Sequence, residues 1–188
     1  MMHAEPVIET RRLVLRPAEL DDAPFILMLW RDPRVMRWVG YPWGLPTTEG
    51  EIREKIARIS SPNPEGLLVI EDRSGSRRIG QCKLGAPDSN GISEPDIKLA
   101  PAEWGQGYGA EAWASLIDTL FRRTDCRIVQ GTPNVHNAAS IAMQERAGMR
   151  RVGEGRFEFP PAMRTYTESV PYYVYQIARA AWATSNDR

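Results

Sequence analysis

Histidine is almost absent from this 188-residue sequence: His3 and His136 are the only two, too few for a histidine-rich metal site. Cysteine is equally scarce. Cys82 and Cys126 stand alone, and a disulfide scaffold needs more cysteines in a secretory context. Each sits in a run that reads as a strand, which points to two buried thiols acting as small apolar side chains. Neither sign of charge is in excess, because 24 Lys+Arg face 24 Asp+Glu. A broad basic field is therefore missing; indiscriminate nucleic-acid binding is not expected, and only a local arginine-rich patch stays open. No run approaches the ~18 apolar residues of a membrane helix. The first ten residues contain no basic segment followed by an apolar one. No secretory signal is visible, and the cytoplasm is the expected location. Low-complexity tracts, internal repeats and linkers are missing as well.

What is present is an ordinary globular balance, 42% hydrophobic and 26% charged, in a length that suits one domain over residues 1–188. Residues 12–17 read as a first strand ending at Pro17. Asp21 and Asp22 offer an N-cap for a helix through Phe25, Ile26, Leu29 and Trp30, with Pro24 in its first turn and Asp32-Pro33 as its break. A proline- and glycine-rich loop follows at 40–46. Thr48 and Glu51 fit a capping box for a helix carrying Ile52, Ile56 and Ile59, stopped by residues 60–64. Strands are expected at 66–72 and 78–84 around a turn at 73–77. Another is expected at 92–99, where Pro95 signals an edge or a bulge. A long helix opens after Gly107 with Ala110, Trp113, Ala114, Ile117, Leu120 and Phe121 as its apolar stripe. A strand at 128–129, a helix capped by Asn137 and stopped by Gly148, and strands at 149–154 and 170–178 complete a mixed α/β order.

The segment Trp104-Gly-Gln-Gly-Tyr-Gly-Ala-Glu-Ala112 comes after a strand and begins a helix. Gly105, Gly107 and Gly109 remove side chains that would hold a ligand away from the main chain. The first amides of the helix have no internal partners, and the helix dipole adds partial positive charge there. A pyrophosphate would satisfy both. By itself the segment is equally readable as a glycine-rich turn with no ligand.

The run Gly-Gln-Gly-Tyr-Gly-Ala-Glu-Ala resembles the acetyl-CoA-binding motif of the GNAT (Gcn5-related N-acetyltransferase) superfamily, and within it the ribosomal-protein N-acetyltransferase (RimJ/RimL-like) branch. Glu9-Thr-Arg-Arg-Leu-Val-Leu-Arg-Pro17 with Asp21-Asp-Ala23 is similar to the start of that branch. Asn137-Ala-Ala-Ser140 with Ala147-Gly148-Met149 is similar to its second cofactor motif, and a terminal strand ending near Trp182 to its close. The resemblance spans about residues 9–182. It implies a central, mostly antiparallel mixed sheet flanked by helices and an acetyl-CoA-dependent transfer to a primary amine, on a protein N-terminus or a small molecule. No metal is implied. The cofactor contacts implied are Leu99, Trp104, Gly105, Gln106, Gly107, Tyr108, Gly109, Ala110, Asn137 and Ser140. Two departures stand out. Many members have Gln or Arg where Trp104 stands, although Trp is usual in this branch. Many carry a tyrosine general acid where this chain has Gln144, which cannot donate a proton in its place.

The reaction needs a neutral amine, so a base or a water relay must remove a proton. The resemblance implies Glu94 as that base. Asp96, two residues on, would face the same side of a regular strand, unless Pro95 makes a bulge. Either carboxylate could equally be a solvated edge residue. The resemblance links Ser140 to protonation of the departing thiolate, and a first-turn serine can also merely satisfy local backbone. Asn137 is a good N-cap, and the family uses its side chain on the pantetheine arm. The thioester oxygen gains charge as the acceptor attacks; in this fold a backbone amide near Leu99 meets it. Trp30, Trp38, Tyr41 and Trp43 gather where the family builds its acceptor pocket, although packing alone would also explain Trp30. Residues 154–167 form either another wall of that pocket or a contact within a homodimer. Two other readings stay open: an acyl-CoA-binding sensor without catalysis, and a dinucleotide-binding fold, because Gly105, Gly107 and Ala110 fit its glycine pattern with Asp125 beyond.

Overall fold

The computed structural model describes residues 7–58, 66–75 and 77–186. His3, Ile59, the helix stop at 60–64 and Ser76 of the 73–77 turn lie outside the described residues. Two sheets are built from nine strands among the described residues. The first runs β1 (Ile8–Glu9), β2 (Leu13–Pro17), β3 (Leu68–Asp72), β4 (Arg78–Lys83) and β6 (Asp96–Leu99), antiparallel throughout. The second runs β5 (Ile92–Ser93), β7 (Ile128–Gly131), β9 (Val170–Ala178) and β8 (Arg150–Phe157). Only β5 and β7 pair in parallel. The helices are α1 (Ala23–Arg31), α2 (Pro33–Met36), α3 (Glu49–Arg58), α4 (Tyr108–Arg123), α5 (Ala138–Arg146) and α6 (Arg179–Asn186).

Strand β3 divides the molecule into two layers. Leu68 and Ile70 pack into one core, Leu67 and Val69 into the other, as alternation along a strand requires. On the first side α4 buries Trp113, Leu116, Ile117, Leu120 and Phe121 against Leu13, Leu15, Val129 and Ile177, so one helix joins both sheets. On the second side α1 and α3 bring Ile26, Ile52 and Ile56 onto Val69. The capping box of α3 forms as expected: Thr48 N–H donates to Glu51 Oε2 at 2.8 Å and Glu51 N–H to Thr48 Oγ1 at 3.3 Å. Both cysteines are free and buried.

Several expectations need correction. Ala114 is exposed, and Ala112 and Leu116 complete the stripe of α4 instead. Trp182 ends no strand; it lies on α6 and its ring meets Phe121 at 5.3 Å. Asp22 precedes α1 without capping it. Its carboxylate turns inward, where Arg16 Nη1 and Nη2 donate to it at 2.7 and 3.0 Å, Arg78 Nε at 2.7 Å and the Glu19 N–H at 2.8 Å. Arg16 also reaches Glu71 Oε1 at 2.5 Å. Among the described residues no helix is long and apolar enough to cross a membrane.

Arg16 and Asp22 are 1% and 0% exposed, so their charges depend on each other. Burial alone would push the Asp22 carboxyl up; the Arg16 guanidinium and the Glu19 amide outweigh it and hold the carboxyl below its usual 3.8. A folded-state value below the unfolded one gives stability that is complete above pH 3.8 and is lost as pH falls through the folded value. Removing Asp22 leaves the buried Arg16 charge with Glu71 as its one remaining carboxylate among the described residues, at a cost of about 3 kcal/mol. Asp22→Ala is therefore expected to lower the urea midpoint sharply at pH 7, with a smaller difference from the parent protein below pH 3. Equal midpoints at pH 7 would refute the buried pair.

Candidate active site

The parallel pairing of β5 with β7 lasts two residues, Ile92 with Ile128 and Ser93 with Val129. Pro95 then intervenes, and a proline has no N–H to continue a ladder. Beyond it β6 stays with β4 while β7 stays with β9, so the strands part. The single strand expected at 92–99 is thus two strands in two sheets. Ala100 N–H donates to Ile79 O at 3.0 Å. By the alternation of an antiparallel ladder, Ile97 and Leu99 turn their main-chain groups the other way, toward the gap. The Leu99 carbonyl there accepts the Trp104 indole N–H at 3.0 Å. The gap is a cleft of about 830 Å³.

The floor of the cleft is the entrance to α4. Gly105 and Gly107 have φ of +76° and +80°, a region that favours glycine. Gly107 sits at the N-cap position, and no side chain caps the helix. The earliest bond of the first turn is Glu111 N–H to Gly107 O at 3.2 Å, so the amides of Tyr108, Gly109 and Ala110 lie ahead of the internal ladder. A Cβ on Gly109 would touch Leu99 and Met143 at 3.4 and 3.5 Å, narrowing the cleft where it runs onto the helix. Gln106 does not line the cleft. Its Nε2 donates to Ala102 O at 3.2 Å and its carbonyl accepts Arg12 Nη1 at 2.9 Å. Arg12 in turn pairs with Glu111 at 2.6 Å, and Thr10 donates to the same carboxylate at 2.6 Å. Burial would raise the Glu111 carboxyl; Thr10 and Arg12 outweigh it and hold it below its usual range. Nothing in the local sequence signals this clamp, because Arg12 and Glu111 are far apart in the chain.

The opposite wall is α5. Asn137 Oδ1 accepts the Ser140 N–H at 3.1 Å, which leaves the Asn137 amide NH₂ to the cleft. Ser140 and Gln144 line the cleft as well. Gln144 is 2% exposed, and its Oε1 is buried without a hydrogen-bond partner. A Cβ on Gly131 would meet that oxygen at 2.2 Å, so any larger residue there would push the Gln144 amide aside.

The two carboxylates part company. Asp96 lines both the cleft and a second pocket of about 300 Å³ beside it. Glu94 is exposed and lines neither; it accepts a hydrogen bond from Gln130 Nε2. Pro95, which does line the cleft, breaks the regular facing that two-residue spacing would give. Asp96 pairs with Lys98. Burial would raise the Asp96 carboxyl, and Lys98 with Lys83 outweighs it and holds it below its usual range. Burial and the Asp96 charge push the Cys82 thiol up, which keeps it protonated and unsuited as a nucleophile.

The aromatic residues divide too. Trp38 lines the cleft, and Trp30 and Tyr41 line the smaller pocket. Trp30 Nε1 donates to Gln81 Oε1 at 3.2 Å. Tyr41 meets Phe159 edge-on at 5.4 Å and stacks on Tyr166 at 6.5 Å, so part of the 154–167 stretch backs the pocket wall. Trp43 is 79% exposed and lines neither cavity. Among the described residues no His, Cys, Asp and Glu cluster could hold a metal ion.

Residues 12–150 match a family model described as Acetyltransferase (GNAT) domain, well over half of the chain, and the chain belongs to that acetyltransferase family. The N-acetyltransferase p20 of Bacillus licheniformis, itself uncharacterized, is 28% identical over 77% of this chain and 82% of its own. A spermidine N-acetyltransferase of Vibrio cholerae, solved with CoA and spermine, superposes with a TM-score of 0.76 at 22% identity, over 93% of this chain and 99% of its own. RimL, a ribosomal L7/L12 α-N-protein acetyltransferase solved with CoA, superposes with 0.75 at 19%, over 94% and 99%. Family membership makes the chain an acetyltransferase enzyme. It also overturns the dinucleotide reading, in which the strand leading into the glycines lies in a parallel sheet: here β6, which leads into the cradle, pairs antiparallel with β4.

Valine at Gly107 or Gly109 would stand between these amides and any phosphate. Gly109→Val keeps helical backbone, whereas Gly107→Val adds left-handed strain. Both are expected to weaken CoA binding by about two orders of magnitude, equivalent to about 2.7 kcal/mol, in a calorimetric titration. Undiminished affinity in a folded Gly109→Val protein would mean that the phosphates bind elsewhere.

Proposed function

We propose that this enzyme moves an acetyl group from acetyl-CoA to a primary amine, with both held together in the cleft, and that residues 9–182 act as one cytoplasmic domain. The observation that carries this reading is the continuity of the parted strand edge at Ile97 and Leu99 with the uncapped start of α4. An extended, amide-bearing arm ending in a pyrophosphate fits both ends of that surface. The CoA complexes of the structural neighbours support the same choice.

When bound, acetyl-CoA supplies an activated acetyl thioester: a C–N bond forms to the amine, the C–S bond breaks, one proton leaves nitrogen and one reaches sulfur. The amides of Tyr108, Gly109 and Ala110 hold the pyrophosphate. The N–H of Leu99 is a donor for the thioester oxygen, and the Asn137 NH₂ for the arm. Glu94 stands outside the cleft lining and is the proton acceptor through one intervening water. Its partner is the neutral amide of Gln130, whereas Asp96 is tied to Lys98, which weakens it as a base. Ser140, on the cleft wall, hands a proton to the leaving sulfur. Gln144 has no proton to give and instead presents a buried acceptor beside it.

Glu94→Gln is expected to lower kcat about a hundredfold at neutral pH, as loss of general base catalysis does, with CoA affinity unchanged. Ser140→Ala is expected to lower kcat by a smaller factor. Thiol release from acetyl-CoA measures both. If the glutamine variant turns over at the parental rate, Glu94 is not the base and Asp96 or a water relay takes its place.

A further inference from the structure

The chain has three lysines, Lys55, Lys83 and Lys98, among its 24 basic residues. All three line the 300 Å³ pocket beside the cleft. They come from three elements: Lys55 from α3, Lys83 from β4 and Lys98 from β6. On the β4–β6 pair, Lys83 stands opposite Asp96 and Gln81 opposite Lys98, so these four side chains form one grid on one face. Lys55 arrives over it with its Nζ 5.1 Å from the centre of the Trp30 ring. Asp96 is the only carboxylate among the described lining residues, and Lys98 occupies it. Three ammonium groups against one carboxylate leave the pocket positive, with Lys55 and Lys83 exposed to whatever enters.

We propose, on the footing of the acetyltransferase reading above, that the acceptor is a primary amine carrying a carboxylate or phosphate a few bonds away, and that Lys83 and Lys55 bind that anionic group. Asp96 and Lys98 line both cavities and mark where the pocket opens into the cleft. The amine end of the acceptor therefore lies toward them and the anionic end on the side away from the cleft, toward Lys83 on β4 and Lys55 on α3. The apolar wall of Trp30, Tyr41 and Leu45 takes the carbon skeleton between. A polycationic amine would set its second ammonium against the lysines, with one already-paired carboxylate to receive it. The positive surroundings also favour the neutral form of the reacting amine, the form that attacks.

The test compares acceptors matched except for charge, in thiol release from acetyl-CoA: tyrosine against tyramine, phosphoethanolamine against ethanolamine, and spermidine. A peptide arm compares Ser-Glu-Ala with Ser-Lys-Ala, which separates a free small amine from a peptide-borne one. The anionic member of a pair is expected to have a kcat/KM at least tenfold higher, through KM. Lys83→Gln and Lys55→Gln are each expected to cut that anionic-to-neutral ratio about tenfold, the scale of a lost hydrogen bond to a charged group, with CoA affinity unchanged. Lys83→Glu is expected to move the preference toward spermidine. Calorimetric binding of the same amines to the CoA-loaded protein reads the pocket without turnover. Amines that bind with this charge preference but release no thiol would sink the transferase reading and leave the pocket inference standing. Efficient turnover of spermidine over every anionic amine, or a ratio indifferent to the lysine variants, overturns the inference alone.

Discussion

One missing hydrogen-bond donor organises the site. A parallel ladder continues only while each strand supplies an N–H in turn, and Pro95 supplies none. The pairing between β5 and β7 therefore stops after two residues, and the chain resumes as β6 in a different sheet. Main-chain groups along a broken ladder need other partners. Trp104 takes one of them, the carbonyl of Leu99, and fixes the loop that leads to α4. The remaining edge is a surface onto which another extended, amide-bearing molecule can pair as a strand would.

An open edge is useful only if its two sides hold still. Here α4 is packed against residues of both sheets, so its core-facing side chains set the width of the gap. The start of that helix is pinned from outside as well, by Arg12 and Thr10 on Glu111 and by Arg12 on the Gln106 carbonyl. A carboxylate near a helix start competes with any bound anion for the positive end of the dipole. Pairing Glu111 with Arg12 removes most of that competition while keeping the clamp. The glycines supply the conformation, and the clamp supplies the position.

Much of this was legible locally. The glycine run, the stripe of α4, the Asn137 cap and the warning at Pro95 each rest on neighbours within a few residues, where spacing carries direct physical meaning. What escaped was nonlocal. Asp22 looked like a helix cap because nothing nearby shows Arg16 and Arg78 converging on it. Glu94 and Asp96 were two residues apart, yet the break at Pro95 sends one to the exposed surface and the other to the cleft. Trp43 carries the same aromatic signal as Trp30 and Trp38, but the 40–46 loop leaves it in solvent. The missing tyrosine at Gln144 was visible in the sequence, whereas its unpartnered oxygen against Gly131 was not.

The division of the molecule into two layers also divides the chemistry. Along β6, Leu99 faces the α4 core while Asp96 and Lys98 face the side of α1 and α3. The strand edge between these faces borders both, as Val39 does from beside the 40–46 loop. A ligand lying along that edge and one entering from the α1–α3 side approach the same few residues from different directions, with Asp96 and Lys98 bordering both. Lys55 and Lys83, which line the pocket and not the cleft, then act on the second ligand alone. Their charge selects its distant end and disfavours a proton on its near end, two effects that point the same way only for an amine bearing a negative group. For a polycation the same field would discourage the binding that the reaction needs.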